Sequence, residues 1–158
     1  MMINIDGHRI SVERFMASKG LQVQGWLDLS GTGITALPEG LSVGGSLDLR
    51  GTGITALPEG LSVGGSLYLR GTGITALPEG LSVAGSLDLR DCPNLTGVFR
   101  VGKDRRGYEF FGVRLANGWR VIAGCRNFSA AEAREHWAGN RECLALAERV
   151  IAAEPGML

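Results

Sequence analysis

The sequence predicts an α/β protein in which a short parallel β solenoid of about four turns precedes a C-terminal β-hairpin and two helices. Three observations predict this fold. Residues 21–90 repeat every twenty residues, and the copies 41–60 and 61–80 differ only where Asp48 becomes Tyr68. Apolar residues recur at fixed places in each copy, which stacked turns require. After Arg90 the period stops and the pattern changes to that of a hairpin followed by helices.

Composition and charge exclude several function classes. The 16 basic and 16 acidic residues cancel, so no overall charge directs the chain to nucleic acid or to an acidic surface. The three cysteines and a charged N-terminal stretch without an apolar signal segment predict reduced thiols and a cytoplasmic protein. No run approaches the ~18 consecutive apolar residues that a membrane helix needs. We therefore expect no membrane partner.

Residues 1–20 are predicted to cap the open lower edge of the solenoid. Val12, Phe15 and Met16 lie among polar residues as on a short helix with one buried face. The end of a solenoid would otherwise expose unpaired backbone and apolar side chains.

Residues 21–96 are predicted to form the solenoid, with a short strand in each turn. In the second copy, Leu47 and Leu49 flank Asp48, which is the alternation of a half-buried strand. Pro58 predicts that the LPEG segment is irregular or extended, and two glycines let the backbone bend. Twenty residues leave no room for a helix in each turn. One turn cannot bury its own apolar face, so neighbouring turns are expected to stack in a right-handed parallel arrangement.

The segment LDLRGTGITALPEGL, residues 47–61, resembles the short bacterial leucine-rich repeat, with its Leu-x-Leu strand, turn and Leu-Pro pair. Thr52 and Thr72 stand where that family usually places a ladder asparagine. Their hydroxyls are expected to bridge adjacent turns less than the asparagine does. The apolar alternation over residues 61–69 also allows a β-helix with a second strand in each turn.

Residues 97–158 are predicted to form a C-terminal αβ cap. The segment from Arg90 to Gly107 is predicted to be a polar connection, and Asn117-Gly118 between two β-rich runs predicts a hairpin. Ser129 and Glu132 have the spacing of a capping box, which predicts a helix over about 130–138. The run RECLALAERVIAAE predicts a second helix that ends before Pro-Gly.

The tail AGCRNFSAAEAREHW resembles the end of small uncharacterised phage and prophage proteins that contain the same repeats. The resemblance covers most of the chain from Leu21 onward, and no activity accompanies it. It implies a phage or mobile-element product that acts in the cytoplasm of a bacterial host.

Three residues could in principle provide chemistry: Cys125, His136 and Cys143. Their spacing includes no Cys-x-x-Cys pair and no fourth metal ligand. Some bacterial leucine-rich effectors are ubiquitin ligases with a catalytic cysteine, but that cysteine lies in a much larger helical domain, and the matching motif is missing around Cys143. We therefore predict no catalytic residue, no metal and no cofactor.

The outward side of the strands offers three columns of side chains. They are Trp26, Ser46, Ser66 and Ser86, then Asp28, Asp48, Tyr68 and Asp88, then Ser30, Arg50, Arg70 and Arg90. The Asp and Arg columns could simply neutralise each other on a solvated face. Alternatively, Trp26 and Tyr68 are anchors in a charged field, which is the composition of a protein-binding hot spot. The predicted partner-binding residues are Trp26, Asp28, Asp48, Arg50, Tyr68, Arg70, Asp88 and Arg90.

The sequence thus predicts a non-catalytic protein–protein interaction module that binds a host defence or regulatory protein and is expected to inhibit it by occupying a surface. The contact would use the strand face, with or without the C-terminal cap. The alternative is nucleic-acid binding through the Arg column and the basic patch Lys103–Arg106. Exposed end strands also allow a homodimer.

Overall fold

The computed structural model describes residues 1–78 and 80–155. The chain divides into two compact units, Met1–Thr96 and Gly97–Leu158. The predicted fold class is confirmed: a parallel β solenoid is followed by antiparallel strands and two helices. About three turns of the solenoid are complete, where four were predicted; the fourth copy supplies the last strand of each sheet but departs from the repeat after Arg90.

The N-terminal segment forms a hairpin and then a short helix. Strands β1 (Met2–Ile5) and β2 (His8–Ser11) pair antiparallel. Helix α1 (Val12–Met16) follows, its N terminus capped by the Ser11 hydroxyl, and it buries Phe15 completely. The helix was expected, whereas the hairpin was not.

Two parallel four-stranded sheets build the solenoid, and each turn supplies one two-residue strand to each sheet. The first sheet contains β3 (Gln22–Val23), β5 (Ser42–Val43), β7 (Ser62–Val63) and β9 (Ser82–Val83). The second contains β4 (Leu27–Asp28), β6 (Leu47–Asp48), β8 (Leu67–Tyr68) and β10 (Leu87–Asp88). Equivalent residues of successive copies pair directly, as in Leu47 with Leu67. The second strand per turn, which the sequence offered as an alternative cross-section, is therefore present.

The core of the solenoid is a stack of aliphatic side chains. Leu47, Leu49 and Ile54 of the second turn have no exposed surface, and neither do Leu67 and Leu69 of the third. Because equivalent apolar residues of successive turns stack on one another, the turns share one continuous hydrophobic core. The expected leucine core is confirmed.

A column of glycines lies between the two sheets, where successive turns touch backbone to backbone. The amide of Gly65 donates to the Gly45 carbonyl at 3.0 Å, and the amide of Gly85 donates to the Gly65 carbonyl at 2.9 Å. Side chains at these positions would occupy the space of the neighbouring turn. The glycines therefore permit the close stacking of the turns.

The threonines that replace the ladder asparagine satisfy carbonyls of their own turn. The hydroxyl of Thr52 donates to the Leu49 carbonyl at 2.7 Å, and that of Thr72 donates to the Leu69 carbonyl at 2.8 Å. Cys92 holds the equivalent place in the fourth turn, with its sulfur 3.1 Å from the Leu69 carbonyl. The bridging role of an asparagine ladder is thus not reproduced by these hydroxyls.

The second unit is a four-stranded antiparallel sheet with two helices. Its strands, in spatial and chain order, are β11 (Phe99–Lys103), β12 (Glu109–Leu115), β13 (Gly118–Ala123) and β14 (Arg126–Phe128). Leu115 pairs with Gly118 around the predicted hairpin turn. The expected polar connection is wrong in part, since β11 lies within it. The pairing of β11 shifts between Arg100 and Gly102, and that irregularity breaks the alternation by which a strand is recognised.

The helices are α2 (Ala130–His136) and α3 (Arg141–Ala152). The predicted capping box is present, with reciprocal hydrogen bonds between Ser129 and Glu132. The core of this unit includes Phe110 and Val121 from the sheet and Ala147 and Val150 from α3. None of the described helices combines the length and the apolarity that crossing a bilayer requires.

Candidate partner-binding surface

Trp26 is the most exposed aromatic residue of the described chain, with 60% of its surface accessible. The other members of its column are serines that take part in the fold: the hydroxyl of Ser46 accepts from the Ser66 amide, and that of Ser66 accepts from the Ser86 amide, both at 3.0 Å. An indole has no such acceptor. Trp26 therefore leaves most of its surface in water, and its indole cannot accept the hydrogen bond that the serines accept from the next turn.

Two aspartates expected on the outward surface are buried instead. Asp48 and Asp88 are only 0% and 2% exposed, because the arginine two residues further on folds over each carboxylate. Arg90 donates from its Nε at 2.8 Å and from its Nη2 at 2.7 Å to Asp88, and Arg50 covers Asp48 in the same way. The arginine amides also donate to these carboxylates. Asp48 and Asp88 thus support the guanidinium groups and are not themselves available for contact.

The electrostatic balance at Asp48 favours the charged carboxylate. Burial by itself would raise the pKa of the Asp48 carboxyl. The hydrogen bonds and the positive charge of Arg50 outweigh burial and hold that pKa below its ordinary value. The expectation that the Asp and Arg columns neutralise each other is therefore confirmed in the second and fourth turns.

The third turn differs because Tyr68 replaces the aspartate. Arg70 pairs instead with Asp91 of the next turn, at 2.8 Å. The guanidinium of Arg50 lies over the Tyr68 ring, 5.5 Å from its centroid. Around half-buried Tyr68 the exposed charged side chains are Arg50 and Arg70, each 54% exposed, together with Asp91, which pairs with Arg70.

The first turn differs at the arginine position, where Ser30 stands. Asp28 is exposed, and its Oδ1 accepts from the Ser30 amide at 3.0 Å and from the Ser30 hydroxyl at 2.6 Å. Among residues 1–78 and 80–155, no Lys, Arg or His nitrogen forms an ion pair with Asp28. Of the three aspartates in this column, Asp28 alone lacks a covering guanidinium.

Trp26 and Asp28 line an open pocket of about 350 Å³ at the first turn. The remaining lining comes from Gly25 and from the hairpin residues Asn4, Asp6 and Gly7. Both Trp26 and Asp28 flank the buried Leu27, so they project to the same side of β4. The structure therefore brings together two of the eight predicted binding residues in one concave site.

Asp6 organises this pocket, and sequence reasoning missed it. Its carboxylate accepts from the Gln24 amide at 2.7 Å and from the Gly25 amide at 2.8 Å. In the next turn the equivalent amides, of Gly44 and Gly45, donate to backbone carbonyls of the turn before. Asp6 thus supplies the two acceptors that a preceding turn would have provided. The Asp-Gly pair inside NIDGHRI was the available hairpin signal.

We expect Asp6→Asn to reduce the acid sensitivity of the protein. The backbone hydrogen bonds from Gln24 and Gly25 lower the pKa of Asp6 below its ordinary value. A carboxyl whose pKa is lowered in the folded state stabilises the fold above its unfolded pKa, and that contribution is lost as the pH falls through the folded value. Urea unfolding midpoints from pH 7 down to about pH 3 would measure this dependence.

The exposed Glu39→Gln is the control, since the Glu39 side chain forms no hydrogen bond with any residue that the structure describes. If Asp6→Asn lost stability with falling pH as much as the wild type and Glu39→Gln do, the role of the Asp6 carboxylate would be contradicted.

The basic patch Lys103–Arg106 is largely ion-paired. Arg106 donates to Asp104 at 2.9 Å and 2.7 Å, and Arg105 lies 3.1 Å from Glu142. Burial would raise the pKa of Asp104, but hydrogen bonds from Arg106 and the Tyr108 amide hold it below the ordinary value. Lys103 alone in this run is an exposed cation without an ion pair among the described residues. The patch presents less free positive charge than its sequence implies.

The three candidate metal ligands do not meet. No group of three or more His, Cys, Asp or Glu side chains within the described residues is arranged to hold a metal ion. Cys143 is buried, and that burial raises the pKa of its thiol, which opposes thiolate formation. The His136 ring packs 4.8 Å from the Phe128 ring. Both residues thus contribute to packing in this unit.

No family model, curated protein or solved structure matches the chain. What the fold and the surface define is a class: a small parallel β solenoid whose outward face displays an exposed tryptophan, a tyrosine and arginines paired to buried aspartates. The resemblance to leucine-rich repeats and to phage proteins stays a prediction.

Proposed function

We propose that the chain is a non-catalytic protein-binding module that contacts its partner through the outward face of β4, β6, β8 and β10. The observation that supports this most is the exposure of Trp26. A large aromatic side chain in water forgoes the stabilisation that burial would give it. The three equivalent positions hold serines, and the hydroxyls of Ser46 and Ser66 each accept a hydrogen bond from the next turn, so we infer that the tryptophan serves something other than folding.

Tyr68 supports the same proposal. It stands at the single difference between two otherwise identical copies, and the guanidinium of Arg50 lies over its ring. Tryptophan, tyrosine and arginine are the residues in which interface hot spots are enriched. Tyr68, with the Arg50 guanidinium over its ring, is suited to a partner surface that offers carboxylates, and the exposed Trp26 is suited to an apolar or cationic side chain.

The proposal predicts that Trp26→Ser strongly weakens partner binding without harming the fold. Serine at 26 recreates the arrangement of the other turns, so we expect the free energy of unfolding to change by less than about 0.5 kcal/mol. Loss of a hot-spot tryptophan should weaken binding by about 30-fold or more. A partner captured from bacterial lysate by the wild-type protein would be purified and its affinity for each variant measured by calorimetry.

Two further variants sharpen the test. Tyr68→Asp returns the residue of the other turns and is expected to weaken binding while leaving stability unchanged. Phe99→Ser removes a 46% exposed aromatic residue from the other unit and is expected to bind normally. Equal affinity of Trp26→Ser, Tyr68→Asp and wild type would exclude the strand face, and a loss confined to Phe99→Ser would place the contact on the second unit.

The nature of the partner rests on sequence resemblance alone. On that basis we propose a phage or mobile-element product that binds, and by occupying a surface inhibits, a host protein in the bacterial cytoplasm. The nucleic-acid alternative is weakened by the ion pairs of Arg50, Arg90 and Arg106. A salt titration of DNA or RNA binding tests it, because phosphate contacts produce a steep salt dependence.

A further inference from the structure

Two turns of the repeat show how an aspartate at this position of the solenoid binds an arginine side chain. In the second turn, the Nε of Arg50 lies 2.9 Å and 3.0 Å from the two carboxylate oxygens of Asp48, and its Nη2 donates to Oδ2. The fourth turn repeats the pair with Asp88 and Arg90. At this position of the fold, an aspartate therefore receives a guanidinium that approaches from the outward face.

The first turn has the aspartate of this pair without its arginine. Ser30 stands in the arginine position and uses only Oδ1 of Asp28. None of the six residues that line the pocket is basic. Asp48 raises the pKa of Arg50 the most, and the charge of Asp28 raises it by a smaller amount. The hydrogen bonds of Arg50 go to Asp48. The Asp28 side of the pocket is consequently an acidic position without a covering guanidinium.

The residue beside this acidic position suits a cation as well. Trp26 replaces the serine of the other turns and lines the same pocket as Asp28. The face of an indole is the best aromatic partner for a guanidinium, and arginine can stack on it while its planar donors meet a carboxylate. Asp6 adds a second carboxylate to the lining, held in place by its bonds to Gln24 and Gly25.

We propose that the pocket of Trp26 and Asp28 binds the guanidinium group of an arginine side chain presented by the partner protein. The inference rests on the proposed function and names the chemistry of the contact. The incoming arginine completes in trans the ion pair that Arg50 and Arg90 complete within the chain, and Trp26 covers its other side. Lysine fits less well, because an ammonium is a point charge without the planar fork.

The test uses a small probe and so does not depend on knowing the partner. N-acetyl-arginine amide would be titrated into the full-length ¹⁵N-labelled protein, and the signals of the Trp26 indole N–H and the Gly25 amide followed. We expect saturable shifts at both signals. N-acetyl-citrulline amide, which has nearly the same shape but no charge, should bind at least about tenfold more weakly, since it loses both the ion pair and the cation–π contact.

Ser30→Arg is the decisive variant. The introduced guanidinium would pair with Asp28 as Arg50 pairs with Asp48, so the variant should fold normally and no longer bind the probe. Thr35→Arg adds the same charge at an exposed position of the same turn and should bind like the wild type. Shifts that do not saturate, equal binding of the citrulline probe, or undiminished binding by Ser30→Arg would each overturn the inference.

The two proposals fail separately. A partner that is lost with Trp26→Ser but retained by Ser30→Arg, together with a probe that does not bind, leaves the strand-face function intact and refutes the arginine pocket. A probe that binds the wild type and not Ser30→Arg, with a partner indifferent to both Trp26→Ser and Tyr68→Asp, supports the pocket chemistry and refutes the proposed strand-face contact.

Discussion

Replacing Gly65 by alanine is expected to lower the free energy of unfolding by about 3 kcal/mol. A Cβ at this position would lie 2.6 Å from the Ser46 hydroxyl oxygen and 2.9 Å from the Gly45 carbonyl carbon. Real Cβ atoms do not approach backbone this closely, so the third turn would have to move away from the second. That movement would stretch the hydrogen bond from the Gly65 amide to Gly45 and loosen the leucines packed beside it.

The repeat itself shows what a Cβ does next to this column. Ala84 stands where Gly44 and Gly64 stand in earlier turns, and its amide lies 3.1 Å from the carbonyl below, against 2.7 Å and 2.8 Å for the glycines. The last turn thus accepts a methyl group at the cost of a longer hydrogen bond. Gly65 has a turn on each side, so the same relaxation is not open to it.

Gly33→Ala is the matched control for Gly65→Ala. No atom lies within 4 Å of a Cβ placed at Gly33, and its backbone is not in the left-handed region. We expect its stability to stay within about 0.5 kcal/mol of wild type or to rise slightly. Urea unfolding followed by circular dichroism measures both variants. Similar midpoints for the two would show that the turns are not held at backbone contact.

Replacing Gly112 by alanine is expected to have an effect of similar size, about 3 kcal/mol, in the second unit. The indole of Trp119 lies over Gly112, and a Cβ there would come within 2.7 Å of the ring atom Cε2. The same indole donates from Nε1 to the Val150 carbonyl of α3 at 2.9 Å. An alanine would therefore displace the ring and break the hydrogen bond that links the sheet to the helix.

Gly139→Ala is the control here, because nothing lies within 4 Å of its added Cβ. Thermal unfolding of both variants, with near-ultraviolet circular dichroism to report the environment of the indole rings, separates a local repacking from loss of the fold. Trp119→Phe removes this hydrogen bond together with part of the ring system and should cost about 1 kcal/mol or more. A Gly112→Ala variant as stable as Gly139→Ala would mean that Trp119 has another rotamer of equal energy.

The regular parts of the fold were readable because they depend on local patterns. Twenty-residue periodicity predicted the stacked turns, Asn117-Gly118 predicted the hairpin of β12 and β13, and Ser129 with Glu132 predicted the start of α2. The hairpin of β1 and β2 was not predicted, although the Asp6-Gly7 pair in the sequence is a signal for a hairpin turn. In the structure these two residues have the positive φ angles of a tight turn, 48° and 86°. A sequence pattern for two short strands is weak evidence for a hairpin unless the part of the fold against which the hairpin packs is known.

The candidate site was only partly readable, for a reason that lies in burial. Trp26 could be singled out because it breaks a column of serines. Asp48 and Asp88 were placed on the surface by strand alternation, which tells the side of a strand and not the depth of a side chain. Asp48 is buried because the side chain of Arg50 folds back over it. Asp28 stays exposed because Ser30 is too short to cover it in the same way.

The sequence by itself determined the repeat length, the parallel stacking of aliphatic residues and the positions at which one copy differs from the next, since these follow from periodicity and side-chain type. Only the tertiary structure decided which charges are buried, where Asp6 closes the first turn and which aspartate of the column remains without a covering guanidinium. Those features depend on distances between residues far apart in the chain or on how a flexible side chain folds back over its neighbour, and neither is encoded in local pattern.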